Sequence, residues 1–173
     1  IQKEFSADLK KSHLREILLA IEIFFAKGKV VAKVDLQNLV EEVLSDLTSK
    51  ERVMRVQDYH LSIAKKKQPH AEVVLKFLDK TLQASARGVG PVDAVISAIR
   101  KALKNKSDLR ENLSDFEVFV DANGVDATTE VRMKLTDSKQ NFVVSVANSP
   151  DIITAAISAF EKGYNILYWK NRG

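Results

Sequence analysis

Between residues 53 and 164 one pattern is written twice: three runs of alternating apolar residues, then a run at helical spacing. In the first pass Tyr59, Leu61 and Ile63 alternate with Asp58, His60 and Ser62. A polar turn at residues 65–69 leads to Ala71, Val73, Leu75 and Phe77, and Asp79-Lys80 turns the chain into Leu82, Ala84 and Ala86. Val92, Val95, Ile96, Ile99 and Leu103 then share one helical face. The second pass runs through Phe116, Val118 and Val120, a turn at Asn123-Gly124, and Thr129, Val131, Met133 and Leu135. Asp137-Ser138 turns it into Phe142, Val144 and Val146, with Phe119 and Val143 facing away from the core. Ile152, Ile153, Ala156, Ile157, Phe160 and Tyr164 close the pass at helical spacing.

Period two reads as half-buried strand and period 3.6 as amphipathic helix, so each pass predicts β-β-β-α. Such a unit has one apolar sheet face and one apolar helix stripe. Two of them can close on a single core about a pseudo-twofold axis. The predicted class is α+β, with unit one at 53–104 and unit two at 112–168 of a domain spanning 51–173. Locally, Gly90-Pro91-Val92-Asp93 answers Ser149-Pro150-Asp151.

Residues 1–50 precede this domain as a small helical subdomain. Leu14, Ile17, Leu18, Ile21, Phe24 and Phe25 recur at helical spacing up to a stop at Lys27-Gly28. Asp35 suits an N-cap for a second helix with Leu36, Leu39, Val40, Val43, Leu44 and Leu47 on one face. Two short helices cannot bury both stripes alone, which marks them as a linker between larger bodies.

The remaining composition mainly excludes. No apolar run reaches membrane-spanning length, and the longest, residues 17–26, is broken by Glu22. The chain starts without Met and reads as a segment of a longer protein. It contains no cysteine, which rules out disulfides and thiolate chemistry and fits a reducing cytoplasm. Its 27 Lys and Arg against 23 Asp and Glu give a dispersed net charge of +4, too weak to argue for nucleic acid. His13, His60 and His70 have no metal-ligand spacing. Gly88-Val89-Gly90 lacks the third glycine of a dinucleotide fingerprint, since Asp93 stands there.

That glycine stretch is where binding is expected. Gly88 and Gly90 let the chain turn sharply and let a ligand approach its amides. Pro91 suits the first turn of a helix, leaving an open N-terminus fit for a carboxylate or phosphate.

The run Gly88-Val89-Gly90-Pro91-Val92-Asp93-Ala94 resembles the Gly-x-Gly-Pro-Val-Asp-Ala signature of the 2-isopropylmalate synthase regulatory domain, shared by citramalate and some homocitrate synthases. The likeness extends to Val125-Asp126-Ala127-Thr128-Thr129-Glu130-Val131 and to Ser149-Pro150-Asp151-Ile152-Ile153-Thr154-Ala155. Val89 departs from the family's frequent Asn or Asp, and Ser149 from a common glycine.

The resemblance implies a parent acyltransferase that condenses acetyl-CoA with a 2-oxo acid in a barrel holding a divalent metal. The barrel's signatures do not occur in this sequence, so this segment carries no catalytic residue or cofactor of its own. It is expected to bind L-leucine as a feedback inhibitor, with L-isoleucine of a citramalate synthase as the alternative. Its other partners are a second copy of itself and its own chain's barrel. The implied effector pocket takes Gly88, Gly90, Val92 and Asp93 at the first helix start. Leu113, Phe116 and Val120 follow on one strand, Val125 and Thr129 on the next, and Pro150 and Ile152 at the second helix start. A double-stranded-RNA-binding module also uses three strands and a helix. It needs cations at the helix start, where this chain has Asp93 and Asp151.

Overall fold

The computed structural model describes Ile17, Leu18, Ile21, Glu22, residues 52–120 and residues 128–172. Contacts divide the chain into two compact units, Ile1–Lys50 and Glu51–Gly173. In the first, the four described residues are helical, with Ile17 buried and Leu18 and Glu22 exposed. The cap at Asp35, the stop at Lys27-Gly28 and the second apolar stripe lie outside the described residues, as do the Asn123-Gly124 turn and Val125.

The second unit holds two β-β-β-α repeats. Strands β1 (Met54–Ala64), β2 (Lys67–Phe77) and β3 (Lys80–Arg87) form an antiparallel sheet in that order, followed by helix α1 (Pro91–Leu103). Strands β4 (Glu111–Val120), β5 (Thr129–Asp137) and β6 (Phe142–Ser149) form the second sheet, followed by α2 (Ile152–Arg172). The middle strands carry the alternation most cleanly. Ala71, Val73, Leu75 and Phe77 of β2 and Val131, Met133 and Leu135 of β5 are all buried. Against them lie Val95, Ile99 and Leu103 of α1 and Phe160, Tyr164 and Leu167 of α2. Each large apolar side chain so covered contributes about 1.5–3 kcal/mol. Both repeats feed one core cluster, and Phe77 of β2 meets Tyr168 of α2 edge-on at 5.9 Å.

Strand β6 reverses the face read from its sequence. Val143, Ser145 and Ala147 point into the core, while Phe142, Val144 and Val146 point out and Phe142 is exposed. Val143, expected to face away, is fully buried. The cause is how close α2 comes. Ser145 Oγ donates to Ala159 O at 2.7 Å, and a Cβ on Gly163 would lie 2.8 Å from both Ser145 Oγ and Leu135 Cδ1. A large β6 residue has no room beneath such a helix, so the small ones go inward. Phe119 does face out as expected, with the Arg132 guanidinium 5.2 Å from its ring.

The hairpin turns also shift. Between β2 and β3 the turn residues are Leu78 and Asp79, since Phe77 pairs with Lys80. Leu78 adopts φ 52°, a region that costs a residue with a Cβ roughly 1 kcal/mol or more. Its side chain is half exposed, so Leu78→Gly should lose little packing and raise stability by about 1 kcal/mol. A chemical denaturation midpoint equal to or below that of the parent chain contradicts this.

Helix α2 serves the outer edge of β1 with side chains in place of a fourth strand. Asn165 accepts from Met54 N at 2.8 Å and donates to Met54 O at 2.9 Å, and Glu161 Oε1 accepts from Val56 N. Burial pushes the Glu161 carboxyl up, against the Val56 N–H and the positive charges of Arg52 and Arg55, which pull it down. A raised folded value means that the stability tied to this group is fully present below the ordinary carboxylate value. It is lost as pH rises through the raised value. Glu161→Gln keeps the acceptor and removes the charge, so its melting temperature should stay flat across that window while the parent's declines. Parallel curves for the two proteins contradict this.

Candidate functional site

At the start of α1 the chain leaves β3 through Gly88, Val89 and Gly90. Gly88 N donates to Pro69 O at 3.1 Å, which extends the β2–β3 ladder to the loop. Neither glycine adopts positive φ, so the left-handed freedom expected of them is not used. Gly88 is there for space. A Cβ on it would lie 2.2 Å from Ala94 N and 2.7 Å from Ala94 Cα, so the loop is pressed onto the first turn of α1.

Gly90 is the opposite case. Its backbone is extended at φ −136°, and nothing stands within 4 Å of where a Cβ would be. Gly90 occupies the N-cap position with no side-chain cap, and Pro91 follows as the first helical residue. Ala94 N donates to Gly90 O at 2.9 Å. The amides of Val92 and Asp93 therefore begin a helix with no side-chain cap, and the Asp93 carboxylate is the one acidic group in its first turn. Asp93 has one partner within the loop. Its Oδ2 accepts from Val89 N at 2.8 Å, holding the loop to the helix and leaving Oδ1 for another donor.

The start of α2 is closed by its own residues. Asp151 is the N-cap: Oδ2 accepts from Thr154 N at 2.8 Å and Thr154 Oγ1 at 2.6 Å, and Oδ1 from Ile153 N at 3.3 Å. Tyr59 Oη of β1 adds a bond to Oδ2 at 3.4 Å. The Thr154 bonds are the main cause that holds the Asp151 carboxyl below the usual range. Ala155 N donates to Asp151 O at 3.0 Å, so Asp151 plays the part of Gly90. The repeats thus align two residues away from the match of Gly90 with Ser149, and Pro150 stands before the cap.

The second-repeat residues gather on one sheet face. Register puts Leu113 opposite Leu135, Phe116 opposite Met133 and Val120 opposite Thr129, all on the side that carries the core. Thr129 in turn faces Ser149, next to Pro150 and Ile152. Because α2 lies over β5 and β6, the β4 end of this row is open: Phe116, Val120 and Ile152 are exposed while Thr129 is buried. Among the described residues no hydrogen bond joins the first turn of α1 to β4. Tyr59 and Thr154 were not singled out from the sequence, and Asp151 was read only as a negative charge at the helix start, although its place two residues after Ser149 is an ordinary N-cap signal. No group of three or more metal-binding side chains gathers among the described residues, and no helix among them is long and apolar enough to cross a membrane.

Comparison with known proteins matches this arrangement to one family. The family model for the LeuA allosteric (dimerisation) domain matches residues 30–168. The chain is 33% identical over 167 residues to the 2-isopropylmalate synthase of Methanocaldococcus jannaschii, covering 96% of this chain and 31% of that protein. It is 32% identical over 171 residues to the Methanopyrus kandleri protein named "Putative (R)-citramalate synthase CimA", covering 98% and 33%. The chain spans about a third of the length of the curated relatives it matches. With two β-β-β-α repeats, the Gly-x-Gly-Pro-Val-Asp-Ala turn and a match over most of its length, the chain belongs to the LeuA allosteric (dimerisation) domain family.

Proposed function

We propose that this chain is the feedback-sensing part of a 2-isopropylmalate synthase-type acyltransferase and binds L-leucine as an allosteric inhibitor. The observation that carries the reading is the difference between the two helix starts. The α2 amides are taken by the Asp151 carboxylate, an internal stand-in for a ligand, whereas α1 has free amides and open space at Gly90. One effector carboxylate per chain then sits at Val92 and Asp93, with the free Asp93 oxygen toward the ammonium. Leu113, Phe116, Val120, Val125, Thr129, Pro150 and Ile152 supply apolar contacts for a branched side chain. Binding there biases how the repeats pack, and residues 1–50 pass the bias to the catalytic barrel; a coupling of about 1–3 kcal/mol suffices.

Isoleucine is a second reading, favoured by relatives named as citramalate synthases at identities within a point or so of those named 2-isopropylmalate synthase, 32% against 33%. The two side chains differ only in where a methyl branches, worth roughly 1 kcal/mol. The chain also acts as a homodimer, which the outward Phe119 and Phe142 support.

Calorimetric titration with leucine, isoleucine and valine tests the effector, and light scattering the dimer. We expect saturable heat from leucine at one per chain. Asp93→Asn keeps an acceptor for Val89 N and loses the charge, so it should weaken binding by about 1.5–3 kcal/mol, roughly ten- to a hundredfold. Its melting temperature without ligand should stay that of the parent. Absence of heat from all three amino acids overturns the sensing role.

A further inference from the structure

A cleft of about 430 Å³ opens between the last turns of α1, the linker after it and the first residue of β4. This is within the size range of small-molecule sites. Four cations line it, Arg100, Lys101, Lys104 and Arg110, against one carboxylate, Glu111. That carboxylate is already engaged, since Glu111 Oε1 accepts from Arg100 Nε at 2.5 Å and the side chain is only 9% exposed. Lys101 Nζ is steered by a bond to Ser85 O at 3.0 Å. The floor is Leu103 and Leu109, both buried.

Basic residues at a helix C-terminus have an ordinary reason, the partial negative charge there, but that amounts to only about half a charge. The cleft holds three positive charges in excess, most of the chain's net +4, on a wall of two leucines. We propose that it binds a small organic anion that carries a phosphate group. A phosphate monoester, with nearly two negative charges and three exposed oxygens, matches that excess better than a single carboxylate does. Guanidinium and ammonium groups on the rim take the oxygens, and the leucine floor takes an apolar group. The cleft lies at the end of α1 opposite the glycine turn, so the site is independent of the proposed effector.

The test is an amide-resolved NMR titration of the 173-residue chain with inorganic phosphate and with butyl phosphate, at low and at high salt. Saturable shifts centred on residues 100–111 are expected, weakened by salt. Butyl phosphate should bind several-fold more tightly than inorganic phosphate, because only it reaches the floor. The double variant Lys104→Glu, Arg110→Glu should lose at least tenfold in affinity, while Lys65→Glu, Lys66→Glu on the exposed β1–β2 turn should not. Equal binding of the two phosphates overturns the organic ligand. An equal loss in both variants, or shifts spread over the surface lysines, leaves only non-specific attraction and overturns the site.

Discussion

Gly88→Ala is expected to destabilise the second unit by about 3 kcal/mol or more and to remove the proposed effector binding with it. The added Cβ would meet backbone, Ala94 N at 2.2 Å and the Asp93 carbonyl carbon at 2.7 Å, and backbone cannot swing aside as the end of a side chain can. Either the loop lifts from α1 or the first turn unwinds. Lifting breaks the bonds from Gly88 N to Pro69 O and from Val89 N to Asp93. Overpacking of this kind costs 1–3 kcal/mol where neighbours can relax and more where they cannot. Gly90→Ala is the matched control. Its Cβ meets nothing and its extended φ suits any residue, so the cost should stay within the roughly 0.5–1 kcal/mol by which alanine caps a helix less well than glycine. Because the methyl projects into the space beside the free α1 amides, ligand binding should weaken all the same. Chemical denaturation and calorimetry on the pair separate the two roles. Equal stability of both variants shows that Gly88 is not pressed against the helix.

Asp137→Ala should cost about 3 kcal/mol. This buried carboxylate organises the β5–β6 loop and ties it to the end of α2. Oδ1 accepts from Lys139 N and Asn141 N at 2.9 Å each; Oδ2 accepts from Asn141 Nδ2 at 2.9 Å and Asn171 Nδ2 at 2.8 Å. Alanine leaves those donors without an acceptor, the costly direction in which to break a buried hydrogen bond. The same geometry gives a pH signature. Burial raises the carboxyl, but the Asn171 and Asn141 side chains and the N–H groups of Asn141 and Lys139 outweigh it and hold the folded value below 3.8. A depressed folded value means stability present above the ordinary carboxylate value and lost as pH falls through the lower one. Unfolding below about pH 4 should therefore be shallower in Asp137→Ala than in the parent. Glu161 works in the opposite direction at higher pH, so the two groups are separable in one pH series. An acid limb of unchanged steepness assigns the loss to other carboxylates.

The sequence by itself determined the two β-β-β-α repeats, the core face of β2 and β5, and the start of α1. Middle strands are paired on both sides and covered by a helix, so their alternation reports burial directly, and Pro91 after Gly90 marks a helix start on local grounds. The row Leu113, Phe116, Val120 and Thr129 came from the family resemblance, and a bulge between Leu113 and Asp115 brings Leu113 onto that face with Phe116. Only the tertiary structure decided the face of β6. Apart from Asn148 both of its alternate sets are apolar or small, and the choice rests on how close Gly163 lets α2 approach. It also decided which helix start stays open. That depends on Asp151 capping its own helix, on Tyr59 reaching it from 92 residues away and on Asp93 turning back to Val89. Periodicity records which side of an element is buried, but it holds no information on the distance between elements. Helix-to-sheet spacing and hydrogen bonds between distant side chains are set when the two repeats close on one core.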